Sequence, residues 1–174
     1  NKADLNANKF ESEIIYEPGR PNVGTAIRSM WVDKEGIWLG SDYNGLIYMN
    51  KQTAAYQYVS PQLATENIKA LLKDNNGDIW IGKRNGLDKY DPKTKQITSY
   101  FKSSVEQSKS RFYAIAEDPL THDLWFSYYH GVIKQDYQTK TLKEQPLISY
   151  GRSGAGCLFF DSKNNLWIGT EYSG

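Results

Sequence analysis

Residues 75–91 read "NNGDIWIGKRNGLDKYD", and much of this stretch returns near the end of the chain as "NNLWIGTEYSG". Aligned on one tryptophan, four copies follow one another in the sequence. They read "AIRSMWVDKEGIWLGSDYNGLIYMN", "NIKALLKDNNGDIWIGKRNGLDKYD", "FYAIAEDPLTHDLWFSYYHGVIKQD" and "GCLFFDSKNNLWIGTEYSG". The tryptophans Trp38, Trp80, Trp125 and Trp167 lie 42, 45 and 42 residues apart. A period of about 40 to 50 residues is typical of four-stranded propeller blades.

Each copy has apolar runs that are short and rich in aromatic residues, which favours strands over helices. In the second copy the innermost strand is "NIKALLKD", followed by "DIWIG", "GLDKYD" and an outermost "QITSYF". The clusters between them, such as "DPKTK", contain the residue types of tight hairpins. Gly36 and Gly77 are predicted to supply positive φ angles in these turns.

The pattern predicts an all-β fold made of β-propeller blades, each with four antiparallel strands. Three blades are complete and others are partial. The predicted divisions are an outer strand and connection from a preceding blade at 1–25, blade 1 at 26–59, blade 2 at 67–101, blade 3 at 112–145 and the first half of blade 4 at 156–174. Pairing of the N-terminal strand with that half blade, which would close a small ring, is an alternative.

Composition describes an ordinary globular chain of 174 residues, with 39% hydrophobic residues, 24% charged residues and a net charge of +1. This balance gives no reason to expect direct contact with nucleic acid. No run approaches the roughly 18 to 20 apolar residues of a membrane helix, and the start lacks the apolar core of a signal peptide. We expect the chain to begin inside a longer protein. Cys157, the one cysteine, is predicted to be a buried, inert thiol.

The recurring residues have structural interpretations. The repeated tryptophan is predicted to fill the space between neighbouring blades, and the glycine two residues later to allow close backbone approach. These glycines are Gly40, Gly82 and Gly169, with Ser127 in the third copy. The aspartates Asp33, Asp74, Asp118 and Asp161 are predicted to accept backbone hydrogen bonds in the hairpins. A calcium loop would need a bidentate glutamate and flanking helices, which the sequence lacks.

The sequence contains no pattern that predicts a catalytic or metal-binding site. His122 and His130 are eight residues apart and form no zinc-site spacing with Cys157 or the carboxylates. No nucleophile elbow supports a Ser-His-Asp triad. The "GKRNG" run is not followed by a helix, as a phosphate loop would be. We therefore predict a non-catalytic segment with no cofactor and no metal.

The stretches "DIWIGKRNGLDKYD" and "NNLWIGTEYSG" resemble the two-component regulator propeller repeat of bacterial sensor proteins, and the resemblance covers residues 26–174. Copy three departs from the motif in "LWFSYYHGV". The resemblance implies the periplasmic sensor part of a hybrid histidine kinase that detects an oligosaccharide and signals across the membrane. It further implies seven-bladed rings, so this chain is expected to be a fragment whose partners are the remaining blades of the parent chain, with a homodimer as a further expectation. Contact with the membrane would come only through the parent protein.

Strand order places the loops after the second and fourth strands of every blade on one face, which is the predicted ligand face. Its residues are Asp42, Tyr43, Asn44, Lys83, Arg84, Asn85, Tyr128, Tyr129, His130, Glu171 and Tyr172. Aromatic rings beside hydrogen-bonding groups suit a sugar. Arg111 and Arg152, at the far ends of two inter-blade loops, would clamp an acidic sugar. The alternatives are a protein-interaction scaffold, or a propeller lyase or glycosidase using Asp42, Glu171 or His130.

Overall fold

The computed structural model describes residues 2–4, 9–11, 26–59, 67–101, 111–145 and 154–170. Within these ranges all regular structure is β-strand, so no helix there could cross a membrane. The short strands β1 (Lys2–Asp4) and β2 (Lys9–Glu11) pair with each other. They join no other sheet of the described chain. The small closed ring considered from the sequence is therefore absent from the part of the chain described.

Three four-stranded antiparallel sheets follow, each with its strands in sequence order. Blade one contains β3 (Ile27–Val32), β4 (Gly36–Ser41), β5 (Leu46–Asn50) and β6 (Tyr56–Tyr58). Blade two contains β7 (Ile68–Lys73), β8 (Ile79–Lys83), β9 (Gly86–Asp91) and β10 (Gln96–Tyr100). Blade three contains β11 (Phe112–Glu117), β12 (Leu124–Tyr128), β13 (Gly131–Gln135) and β14 (Leu142–Gln145). The half blade contains β15 (Ala155–Phe160) and β16 (Leu166–Thr170).

The inner strands β3, β7, β11 and β15 contact one another in succession. We call the contact between blades one and two the first junction, and that between blades two and three the second junction. These contacts confirm the predicted all-β architecture of propeller blades.

Large aromatic rings fill both junctions. Trp38 of blade one packs against Tyr90 of blade two, with ring centroids 6.1 Å apart. Trp80 of blade two packs against Phe126 of blade three at 4.9 Å and is only 2% exposed. Neighbouring blades therefore share their cores, because each sheet alone would leave its tryptophan face in water.

In copies one, two and four, the glycine two residues after the tryptophan lies opposite a β-bulge in the inner strand. Gly82 pairs with Ala70, at the register shift in β7. A Cβ at Gly82 would lie 3.1 Å from Ala70 Cβ and 3.2 Å from Phe112 Cβ of the next blade. The third copy has Ser127 in this place, and its Oγ accepts a hydrogen bond of 2.8 Å from the Ala114 amide at the bulge. The third copy thus has a side chain where the others have glycine, and its hydroxyl binds the backbone of the bulge.

The repeated aspartates accept hydrogen bonds from hairpin amides in all four copies, as predicted. Asp74 Oδ1, for example, accepts from the Asn76 and Asp78 amides at 2.9 and 3.0 Å. Its other oxygen accepts the Trp80 indole N–H at 2.9 Å, and the same bond joins Trp167 to Asp161 at 2.8 Å. In both copies aspartate and tryptophan are six residues apart.

The other two copies have a different spacing and lack this bond. Asp33 precedes Trp38 by five residues and Asp118 precedes Trp125 by seven, and both indole nitrogens are buried without a hydrogen-bond partner. The free oxygen of Asp33 instead accepts a bond of 2.7 Å from Lys73 Nζ of blade two. Turn length therefore decides whether the aspartate reaches its own tryptophan.

Three expectations need correction. Gly77 has a positive φ of 89°, but Gly36 is not among the residues with positive φ. Glycine is needed at position 36 because a Cβ there would overlap the ring of Tyr48. Cys157 is exposed, not buried. Trp167 is 63% exposed, unlike Trp38 and Trp80, because no further described sheet covers the half blade as blades two and three cover those rings.

Candidate functional site

The loop after the second strand of a blade meets the start of an inner strand. The Asp42 amide donates to the Ala26 carbonyl at 3.0 Å, and the Arg84 amide donates to the Asn67 carbonyl at 3.1 Å. The loop after the second strand and the connection that leads into the inner strand therefore lie at the same end of the sheet in blades one and two, as strand order predicts. The two junctions differ in which side chains meet there.

At the first junction, the carboxylate of Asp42 joins the two blades. Asp42 Oδ2 accepts from Arg28 Nε at 2.5 Å, and Oδ1 accepts from Lys69 Nζ of blade two at 3.1 Å. Asp42 is only 6% exposed. Burial alone would raise the pKa of this carboxyl, but the bonds from Arg28 and Lys69 outweigh it and hold the pKa below its usual value. Asp42 is thus a buried bridge between blades and is not presented to a ligand, contrary to its predicted role.

At the second junction, the corresponding position after the glycine is Arg84, and an open cleft of about 240 Å³ lies between the blades. The residues lining it are Asn67, Lys69, Lys83, Arg84, Arg111, Phe112 and Tyr113. They come from the start of β7, the end of β8 and the start of β11, together with the residues next to these strands. The cleft is therefore formed by two inner strands and the loop between the second and third strands of blade two.

A buried ion pair lies in the wall of this cleft. Lys83 Nζ is 2.7 Å from Asp88 Oδ2, and both side chains are more than nine-tenths buried. Burial of two charges is costly, and their attraction offsets that cost only while both are present. Lys83 lines the cleft, but its ammonium group is paired with Asp88. Its place is therefore in the cleft wall, which this ion pair stabilises.

Arg84 and Arg111 are the exposed cations of the cleft. The Arg111 guanidinium lies 6.0 Å from the ring centre of Tyr129, a contact that restricts its orientation. Neither arginine side chain has a carboxylate partner among the residues that the structure describes.

The remaining predicted residues are distributed differently. Tyr43 is 56% exposed and Asn85 is exposed, but neither lines the cleft. The Asn44 amide donates to Ser41 Oγ at 2.7 Å, as part of a turn. Tyr128 is buried against Phe112, with ring centroids 6.2 Å apart, which makes it a core residue.

His130 is exposed and packs edge-on against Tyr129 at 4.8 Å, outside the cleft lining. Arg152, Glu171 and Tyr172 lie outside the described residues. The structure therefore brings together Lys83, Arg84 and Arg111 from the predicted set.

Sequence reasoning missed Asn67, Lys69 and Tyr113. Alignment of the repeats could have identified them. Asn67 and Arg111 occupy equivalent positions just before consecutive inner strands, and Lys69 and Tyr113 lie two residues after them. The described residues contain no group of three or more His, Cys, Asp or Glu side chains that could hold a metal ion.

The sequence profile of the two-component regulator propeller matches residues 62–82 and 150–172. Histidine kinase P4 of Formosa agariphila is 28% identical in an alignment that covers 78% of this chain and 11% of that protein. The chain thus spans about a tenth of the length of this relative.

Solved structures share the fold. The extracellular domain of a hybrid two-component system from B. thetaiotaomicron superposes with a TM-score of 0.70 at 21% identity, over 90% of this chain and 21% of that one. A second such domain from the same organism gives 0.68 at 17% identity, over 90% and 23%. Virginiamycin B lyase from Staphylococcus aureus also gives 0.68, at 19% identity, over 84% and 50%. At these identities the superpositions show a common propeller architecture. The two-component regulator propeller profile matches the chain at residues 62–82 and 150–172, within this architecture.

Proposed function

We propose that this chain is a ligand-sensing segment of the extracytoplasmic, periplasmic propeller of a hybrid two-component histidine kinase, and that it binds an oligosaccharide. The repeat family and the likeness to extracellular domains of such systems support the sensor role. Ligand binding would signal by favouring one arrangement of the parent protein over another, most simply in a homodimer.

The cleft at the second junction is the observation that carries the ligand-binding part. Its volume of about 240 Å³ is just below the range of about 300 to 1,000 Å³ for drug-sized ligands. It therefore suits one sugar unit, with the rest of a glycan outside. Tyr113 offers a partly exposed ring and a hydroxyl, and Arg84 and Arg111 add donors that sugar oxygens accept.

The lining of the cleft favours binding over catalysis. Glycoside hydrolysis requires a pair of carboxyl groups on either side of the scissile bond. None of the described lining residues is acidic, and Asp88, which lies behind the wall, is bound to Lys83. We therefore propose a non-catalytic segment.

A thermal-shift screen of the full-length protein against neutral and acidic oligosaccharides tests the proposal, because a ligand that binds only the folded state raises the melting temperature. We expect a selective rise with one glycan class, and loss of that rise in Tyr113→Ala. The matched control is Tyr43→Ala, since Tyr43 is exposed outside the cleft. No shift with any glycan, from protein shown to be folded, would contradict the proposal and favour a protein partner.

A further inference from the structure

We infer that the cleft at the second junction selects an anionic sugar unit, bearing a carboxylate or a sulfate, and that Arg84 and Arg111 bind that charge. This inference rests on the proposed function and adds the chemical class of the ligand.

The charge of the cleft wall is the first argument. Among the lining residues that the structure describes, four are cationic and none is acidic; the cations are Lys69, Lys83, Arg84 and Arg111. Lys69 and Lys83 are already bonded, to Asp42 and Asp88 respectively. The two arginines have no such partner among the described residues, so their positive charge is not cancelled within that part of the chain.

The hydrogen-bonding balance of the cleft is the second argument. A sugar hydroxyl both donates and accepts, whereas guanidinium and ammonium groups only donate. The acceptor Asn67 Oδ1 is buried, which leaves the Tyr113 hydroxyl as the chief side-chain acceptor in the lining. A group that only accepts matches this set better than a hydroxyl does, and carboxylates and sulfates are such groups.

The first junction supplies the third argument, because it shows the same frame binding a carboxylate. There, cations from the inner strands of both neighbouring blades, Arg28 and Lys69, converge on Asp42. At the second junction Lys69 and Tyr113 occupy the positions of Arg28 and Lys69, and Arg84 occupies the position of Asp42. This junction therefore lacks the carboxylate that joins the first one, and an anionic ligand bound by Arg84 and Arg111 would supply that charge.

Isothermal titration calorimetry on the full-length protein tests the inference with four tetrasaccharides: tetragalacturonate, its full methyl ester, a chondroitin sulfate and maltotetraose. We expect binding of at least one anionic glycan, with the uncharged probes about tenfold weaker or more. Arg84→Gln and Arg111→Gln should each weaken that binding by about tenfold, and added salt should weaken it further. A chondroitin sulfate carries both carboxylates and sulfates, so comparison with tetragalacturonate shows whether a probe that has carboxylates alone binds as well.

The control variant is Lys93→Gln, because Lys93 is an exposed cation in the β9–β10 hairpin and does not line the cleft. Its affinity should equal that of the unchanged protein, and thermal melts should show that all three variants fold. If a neutral glycan binds as well as or better than both anionic ones, or if neither arginine matters, the anion selectivity is wrong and the sensor proposal stands. If folded protein binds none of the four, the inference is wrong and the thermal-shift screen decides the proposed function separately.

Discussion

The two junctions of this chain have the same backbone frame and opposite surface chemistry. The first is joined by Asp42, which is buried between Arg28 and Lys69. The second replaces that aspartate by Arg84 and is an open cleft with cationic walls. In the core of both junctions, a tryptophan from one blade packs against an aromatic residue of the next.

The residues that pack the blades recur from copy to copy, whereas the loop after the second strand varies in charge. The tryptophan, the glycine opposite the bulge and the hairpin aspartate recur because every blade must pack against the next. The loop after the second strand carries no such constraint, so "SDYN" in one copy can become "KRN" in the next. One change of charge there converts a bridge into a candidate binding site.

The largest effect on stability is expected at the buried pair in the cleft wall. Asp88→Leu should lower the free energy of unfolding by about 3–5 kcal/mol, because it removes the carboxylate that pairs with the buried Lys83 ammonium group. Chemical denaturation followed by tryptophan fluorescence measures the loss. The double variant Lys83→Met with Asp88→Leu should recover most of it, and no recovery would mean that the pair is not the cause.

The bridge at the first junction should contribute less. Asp42→Asn is expected to cost about 1–3 kcal/mol at neutral pH, since it removes the charge that Arg28 and Lys69 share. A conservative Glu35→Gln change, in the exposed hairpin of blade one, serves as the control. An equal loss in both variants would show that the bridge has no special role.

The Asp42 bridge should also depend on pH. Because the folded state lowers the pKa of this carboxyl, its contribution is fully present above the unfolded pKa of about 4 and is lost as pH falls through the lower folded value. Denaturation curves between neutral pH and about pH 2 should therefore show a smaller drop in stability for Asp42→Asn than for the unchanged chain. An identical drop in both would contradict the assignment.

The two junction tryptophans should respond differently to the loss of the indole N–H. Trp80→Phe breaks a bond to Asp74, whereas Trp38 Nε1 is buried without a partner. We expect Trp80→Phe to cost about 1 kcal/mol more than Trp38→Phe. Equal costs, measured by chemical denaturation, would show that the Asp74 bond contributes nothing net.

The smallest change in stability is expected from Arg84→Asp, which gives the second junction the charge of the first. The side chain is exposed, so the free energy of unfolding should change by no more than about 0.5 kcal/mol. Affinity for an anionic glycan should nevertheless fall below that of Arg84→Gln, because the new carboxylate repels the ligand and competes for Arg111. Calorimetry that finds the two variants equal would remove Arg84 from the anion site.

Most of the fold could be predicted from the sequence, and the site only in part. Strand order and the pairing of the blades follow from a period repeated four times and from turn residues in fixed places. Among the candidate residues, Lys83, Arg84 and Arg111 do meet in one cleft. The loop positions of Asp42 and Tyr128 predict contact with a ligand, but both side chains are buried and contact other residues of the chain. A list of loop residues does not show which of them turn inward.

The sequence by itself determined the repeating frame, because periodic strands, tight turns and a recurring tryptophan are local properties of the chain. Even the bond between aspartate and tryptophan can be traced to a spacing of six residues. Only the tertiary structure decided which charges meet across a junction, that Asp42 is a bridge and that Arg84 faces an open cleft. Those outcomes depend on contacts between residues some 27 or more positions apart, which neighbouring sheets create only when they pack.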